Sequence, residues 1–219
     1  MIFAAGFGTR MAPLTESRPK PLIGVAGKSL LSHALDPARE ADLNPIVINA
    51  HYRADQIAEA VEDEPEVILQ REEPEILDTG GGLKAALPSL SGDAVFTMNS
   101  DAVWAGPNPF ETLRTYWTET MEALVLCVPM GRAEGRTDAG DFSIDADGRV
   151  SRGPGYVYTG AQIICAAPVA AHDEAVFSFN VLWNEMIARG TLFAAVYSGA
   201  WCDVGHPSSI PLAEAMLDV

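Results

Sequence analysis

Short apolar runs alternate with amphipathic stretches through the first hundred residues, and that alternation admits few architectures. Ile2 to Ala5 reads as a buried strand, Pro45 to Asn49 as a β-branched one and Glu66 to Gln70 as a third. Between them, Ser29 to Ala41 carries Leu30, Leu31, Ala34 and Leu35 at helical spacing, with Pro37 expected to kink or end the helix. Ala54 to Glu62 turns Ile57, Ala58 and Val61 to one face. Strand, helix, strand, helix, strand is the pattern of parallel βαβ units. With 219 residues, nearly half of them apolar, the chain can close one sizeable packed α/β domain.

Further on, Ala94 to Met98 is a buried strand, and Asn108-Pro109 opens a helix with Phe110, Leu113 and Trp117 on one face. Ala123 to Met130 is a strand, and residues 140 to 150 read as a hairpin turning at Asp147-Gly148. Tyr156 to Ile164 is a strand, Phe179 to Arg189 a helix, Leu192 to Tyr197 a strand, and a last helix closes the sequence. The hairpin elements are expected to form a small β-rich subdomain over the first half.

The loop after the first strand carries the chemistry. Gly6 and Gly8 let backbone N–H groups approach a ligand, Arg10 offers a fork of donors to phosphate oxygens, and Lys20 adds a second cation. Pro13, Pro19 and Pro21 stiffen the segment. Two common phosphate motifs are excluded. Met11 stands where the dinucleotide fingerprint needs its third glycine, and Leu22 stands at the first glycine of a P-loop ending Gly27-Lys28-Ser29. Gly27-Lys28 therefore reads as a turn between a strand and the next helix. A second glycine run, Gly80-Gly81-Gly82, precedes a helix expected over Leu83 to Leu87. Asp101 ends a strand where ligands bind in open parallel sheets, while Asp203, before a Gly/Pro turn, is by position a turn residue.

Gly6-Phe7-Gly8-Thr9-Arg10-Met11, Pro13-Leu14-Thr15 and Pro19-Lys20-Pro21-Leu22 together resemble the loop of sugar-1-phosphate nucleotidylyltransferases. Met98-Asn99-Ser100-Asp101 resembles that family's strand-end metal motif, with Ser100 where glycine is common, and Trp201-Cys202-Asp203-Val204-Gly205-His206-Pro207 resembles its ending, with His206 in place of a small residue. The resemblance implies a Rossmann-like, mostly parallel sheet flanked by helices, the nucleotide-diphospho-sugar transferase fold. It implies one domain over 1–219, with a nucleotide-binding half to about 105 and a sugar-binding half from about 106. It also implies nucleotide contacts at Ala4, Ala5, Gly6, Gly8, Thr9, Arg10, Lys20, Gly80, Gly81 and Asn99, with Thr79 nearby. Sugar-phosphate contacts would fall at Asp141 and Gly160, in weaker matches to Gly-Asp-Phe and Tyr-Thr-Gly segments. Asp101 and Asp203 would hold Mg²⁺, and Arg10, Lys20 and Asp101 would be catalytic.

Both reactants of such a transfer are anions, so charge neutralisation and in-line placement dominate and no general base is needed. The short layout looks most like the N-acetylmuramate 1-phosphate uridylyltransferases of peptidoglycan recycling, which implies UTP as donor. Mannose- and heptose-1-phosphate guanylyltransferases share the loops. A nucleotide-sugar sensor without catalysis, or a phosphocholine-type cytidylyltransferase using Trp104, Tyr156 and Tyr158 as an amine cage, would be other readings.

A net charge of −16 argues against nucleic acid or an anionic membrane as partner and leaves the N-terminal cations conspicuous. Cys127, Cys165 and Cys202 form no C-x-x-C pair, and the first two lie in apolar runs, as expected of core thiols in a reducing compartment. His33, His51 and His172 show no spacing that suggests chemistry. With no membrane-length apolar run and no leader pattern, a cytoplasmic monomer or weak dimer is expected, its natural start a few residues upstream.

Overall fold

Parallel pairing begins at the N-terminus, as the alternation requires. The short strand Ile2–Phe3 lies between Ile46–Ala50 and Ala94–Asn99, and Val67–Arg71 flanks Ile46–Ala50, all four strands parallel. The structure is a computed structural model describing residues 1–218. Ile46–Ala50 is buried along its whole length, as a strand covered on both faces must be. The helix Leu30–Glu40 covers the sheet with Leu31, Ala34, Leu35 and Ala38.

Pro37 does not end that helix. Its missing N–H leaves the His33 carbonyl without its usual helical donor, but burial of the apolar face outweighs this loss. Asn108 Nδ2 and the Ala41 N–H both donate to the Pro37 carbonyl. Asn108 itself opens the helix Pro109–Tyr116, accepting from the Phe110 N–H at 2.9 Å. A two-residue turn with Gly27 at φ 77° joins Gly24–Val25 to Lys28–Ser29, as the sequence suggested. The short helix Ala166–Ala171 was not anticipated.

The second half does not form a separate body. Tyr156–Cys165 runs antiparallel between Ala94–Asn99 and Ala123–Pro129, which makes the antiparallel strands a continuation of the parallel block. The hairpin of Phe142–Ile144 and Val150–Arg152 extends this sheet at its edge, and Leu192–Val196 pairs parallel with Ala123–Pro129. These strands form one nine-stranded sheet flanked by helices, among them Phe179–Arg189, whose C-terminus closes at Gly190 with φ 70°. A small ladder of Ala102–Ala105, Ala200–Asp203 and Ala133–Glu134 returns the chain's last strand to the middle of the molecule.

The second glycine run departs most from expectation. The helix there is Asp78–Ala86, with Gly80, Gly81 and Gly82 inside it and buried. Helical glycine is unfavourable by roughly 1 kcal/mol relative to alanine, so a packing reason is needed. A Cβ on Gly80 would meet the Phe177 ring at 2.3 Å, and one on Gly81 would meet the Ala175 carbonyl oxygen at 2.1 Å. The segment around Phe177 lies directly on the helix. Cys127 and Cys202 are core thiols, whereas Cys165 is only half-buried, its Sγ donating to the Met121 carbonyl.

Candidate active site

The strand Ile2–Phe3 stops early because the next backbone group turns to a side chain: the Ala4 N–H donates to Asn49 Oδ1 at 2.8 Å. Asn49 Nδ2 donates to the buried Glu72 Oε1 at 2.7 Å, and Glu72 Oε2 accepts from the Leu77 N–H at 2.9 Å. This bracket ties the first loop to the start of the helix Asp78–Ala86. Ser100 Oγ adds a bond to the Phe3 carbonyl at 2.6 Å. Sequence reasoning missed Asn49 and Glu72. Their signal was a polar residue at, or just past, the carboxyl end of two strands read from the sequence.

From there the loop rises into a turn, Thr9–Met11, pinned by fully buried Met11. Gly8 adopts φ 62°, and a Cβ there would stand 2.7 Å from Lys20 Cβ, so this glycine is required both by conformation and by the lysine packed against it. Gly6 has open space around its Cβ position, and nothing in the protein itself demands glycine there.

Ala4, Ala5, Gly6, Gly8, Thr9, Arg10, Lys20, Asn99 and Asp101 all line one cavity of about 340 Å³, joined by Asp78 and Gly205. Lys20, nearly buried, donates from Nζ to Asp101 Oδ2 at 2.9 Å. Asp203 reaches the same place through the small ladder, where it pairs with Ala102 and the Val204 N–H donates to the Asp101 carbonyl at 2.9 Å. A side chain on Gly205 would meet both Asp203 oxygens at 3.3 Å and Arg10 Nη1 at 3.5 Å, so its absence leaves these groups room. Burial, and then the Asp101 charge, push the Asp203 carboxyl above its ordinary range, while Lys20, Arg136 and Arg10 oppose the shift. The two cations and two acids of the sequence reading therefore converge.

A second cavity, of about 250 Å³, shares Asp78, Thr79 and Asn99 with the first and is also lined by Asp141, Arg136 and Arg152. Asp141 Oδ2 accepts from the Tyr158 N–H at 2.9 Å, which fixes its carboxylate at the wall. Asp78 stands between the cavities at φ 61°, a left-handed conformation that concentrates at functional positions. Sequence reasoning gave Asp78 no role.

Three expectations need correction. Gly80 and Gly81 do not line the cavity, because their N–H groups, unpaired within the helix's first turn, both donate to the Phe177 carbonyl at 2.9 and 3.0 Å. Gly160 lies behind Asn99: it sits at φ 92° in an irregular stretch of its strand, and a Cβ there would stand 2.9 Å from Asn99 Cβ, so its absence leaves Asn99 room. No amine cage forms, since Trp104 packs edge-on against Tyr197 and Trp201, while Tyr158 packs on Trp183.

A glycine loop at the carboxyl ends of parallel strands, facing paired cations and acids, is carried here on the nucleotide-diphospho-sugar transferase fold. Residues 1–205 match the family described as MobA-like NTP transferase domain, and the chain belongs to that family, which makes it a nucleotidyltransferase. It is 35% identical over 231 residues to the N-acetylmuramate alpha-1-phosphate uridylyltransferase of Caulobacter vibrioides, covering 99% of this chain and 96% of that protein. The enzyme of the same name from Neisseria meningitidis is 29% identical, with 99% and 96% covered. The crystal structure of HddC from Yersinia pseudotuberculosis complexed with GMP-PN superposes with a TM-score of 0.79 at 22% identity, covering 99% of this chain and 97% of that one. The chain is accordingly a sugar-phosphate nucleotidyltransferase, acting on a nucleoside triphosphate and a sugar 1-phosphate. Among the described residues, no helix is long and apolar enough to cross a membrane.

Proposed function

We propose that the chain transfers a uridylyl group from UTP to N-acetylmuramate 1-phosphate, giving UDP-N-acetylmuramate and pyrophosphate with Mg²⁺ as cofactor, as peptidoglycan recycling would require. The observation that carries the chemistry is that Arg10, Lys20 and Asp101 line one cavity and Asp203 stands close enough to feel all three charges. The choice of substrates is supported by the near full-length similarity to the Caulobacter vibrioides uridylyltransferase.

The donor set fits Mg²⁺. Asp101 and Asp203 are adjacent acids, one held above its ordinary pKa partly by the other, so a divalent cation between them relieves their repulsion. Among the described residues no group of three or more His, Cys, Asp or Glu side chains converges, so the remaining ligands would be phosphate oxygens and water. When bound, the ion would supply charge neutralisation at the α-phosphate.

Backbone N–H groups from Gly6 to Arg10 bind the triphosphate, and Arg10 neutralises the departing pyrophosphate. Lys20 serves the α-phosphate and the attacking sugar phosphate, whose oxygen is already ionised near neutral pH. Ala4, Ala5, Asp78, Thr79 and Asn99 border the nucleoside, while Asp141 faces the sugar. Pyrophosphate release should be measured for UTP, GTP, CTP and dTTP crossed with muramate, glucosamine, mannose and heptose 1-phosphates and phosphocholine, with Mg²⁺ or excess EDTA. UTP with N-acetylmuramate 1-phosphate should be fastest, and EDTA should abolish release. A guanylyl or cytidylyl product, or EDTA-resistant turnover, contradicts this assignment, and release with no pair at all supports a sensor.

A further inference from the structure

We infer that Arg152 is a specificity-determining residue, binding a carboxylate carried by the acceptor sugar in addition to its phosphate. This rests on the proposed function insofar as the second cavity receives the acceptor sugar.

Arg152, an exposed residue, lines that cavity. Its neighbour Arg136 is neutralised, donating to Asp138 Oδ2 at 2.9 and 2.6 Å and lying 3.5 Å from Asp141. Arg152 has no carboxylate within ion-pair distance among the described residues. Instead, its Nε donates to Asn184 Oδ1 at 3.0 Å and its Nη2 to Asn180 Oδ1 at 2.7 Å, both on the helix Phe179–Arg189. The guanidinium lies 5.0 Å from the centre of the Phe142 ring and 5.7 Å from that of Trp183. Two neutral amides and two rings thus fix the plane of the fork without cancelling its charge, and Nη1 remains uncommitted. Partial burial lowers the guanidinium's pKa, against the weaker pull of Asp141, as expected of a cation lacking a full counter-charge.

In a chain of net charge −16, an arginine held in place but left unpaired beside a substrate cavity is a receptor for an anion. The acceptor's phosphate belongs with Lys20 in the adjoining cavity, which leaves a second anionic group for Arg152. N-acetylmuramate differs from N-acetylglucosamine by a lactyl ether that ends in such a carboxylate.

The test compares acceptors differing only in that group: N-acetylmuramate against N-acetylglucosamine 1-phosphate, and glucuronate against glucose 1-phosphate, with each of the four nucleoside triphosphates. The readout is the ratio of kcat/KM within a pair, which does not depend on how much of a variant is folded. Wild type should favour a carboxylated acceptor, Arg152→Gln should lower that ratio about 10- to 100-fold, and Arg152→Lys should restore part of it. Preference in the glucuronate pair alone, erased in Arg152→Gln, would uphold Arg152 while refuting muramate as substrate. The inference is overturned if wild type favours the carboxylate-free member of both pairs, turns over no carboxylated acceptor, or keeps its preference in Arg152→Gln.

Discussion

Folding raises the pKa of the Asp203 carboxyl, chiefly by burial and then by the Asp101 charge. Its folded pKa lies above the unfolded value, so between those values the native state binds more protons than the unfolded chain, and stability falls as pH rises through that window. Replacing it with Asn should therefore raise the melting temperature at pH 7, with an advantage that shrinks as pH approaches 4, while catalysis is lost. Thermal melts of wild type and Asp203→Asn across pH check this; an equal or lower Tm for the variant at pH 7 contradicts it. Gly6 is the complementary case. With open space at its Cβ position, Gly6→Ala should leave Tm unchanged but place a methyl group in the triphosphate cradle, raising KM for the nucleotide. Steady-state kinetics with varied nucleotide would show the rise.

At the scale of elements, the helix Asp78–Ala86 shows how far local patterns reach. Three successive glycines read in sequence as a loop able to touch a nucleotide. The reason they are helical, a chain segment almost a hundred residues later lying across them, is invisible locally. The same fact predicts the sign of a mutation. Gly81→Ala gains helix propensity of roughly 1 kcal/mol but drives a Cβ against the Ala175 carbonyl and disturbs two bonds to Phe177, for a net destabilisation of about 2 kcal/mol in chemical denaturation. A stabilised variant would mean that this segment is not packed as described. Pro37 teaches the converse: a local breaker is overridden when the face it interrupts is fully buried.

For the whole molecule, the order of elements in the first half was legible because parallel βαβ units leave a strong periodic trace. The site residues on the first loop and at Asp101 were legible through motif spacing. Two things were not. The hairpin of Phe142–Ile144 and Val150–Arg152 reads alike whether it forms its own layer or the sheet's edge, since only long-range pairing with Tyr156–Cys165 decides. The packing of Gly160 behind Asn99 likewise depends on two strands meeting across the middle of the chain.

The central claim is that one sheet and one small ladder carry two cations and two acids to a single triphosphate. Single-turnover nucleotidyl transfer at saturating substrates, compared among wild type, Lys20→Ala and Asp101→Asn, tests it most directly. Each variant should slow the chemical step on the order of 10²–10³-fold. Near wild-type rates in both would contradict the account.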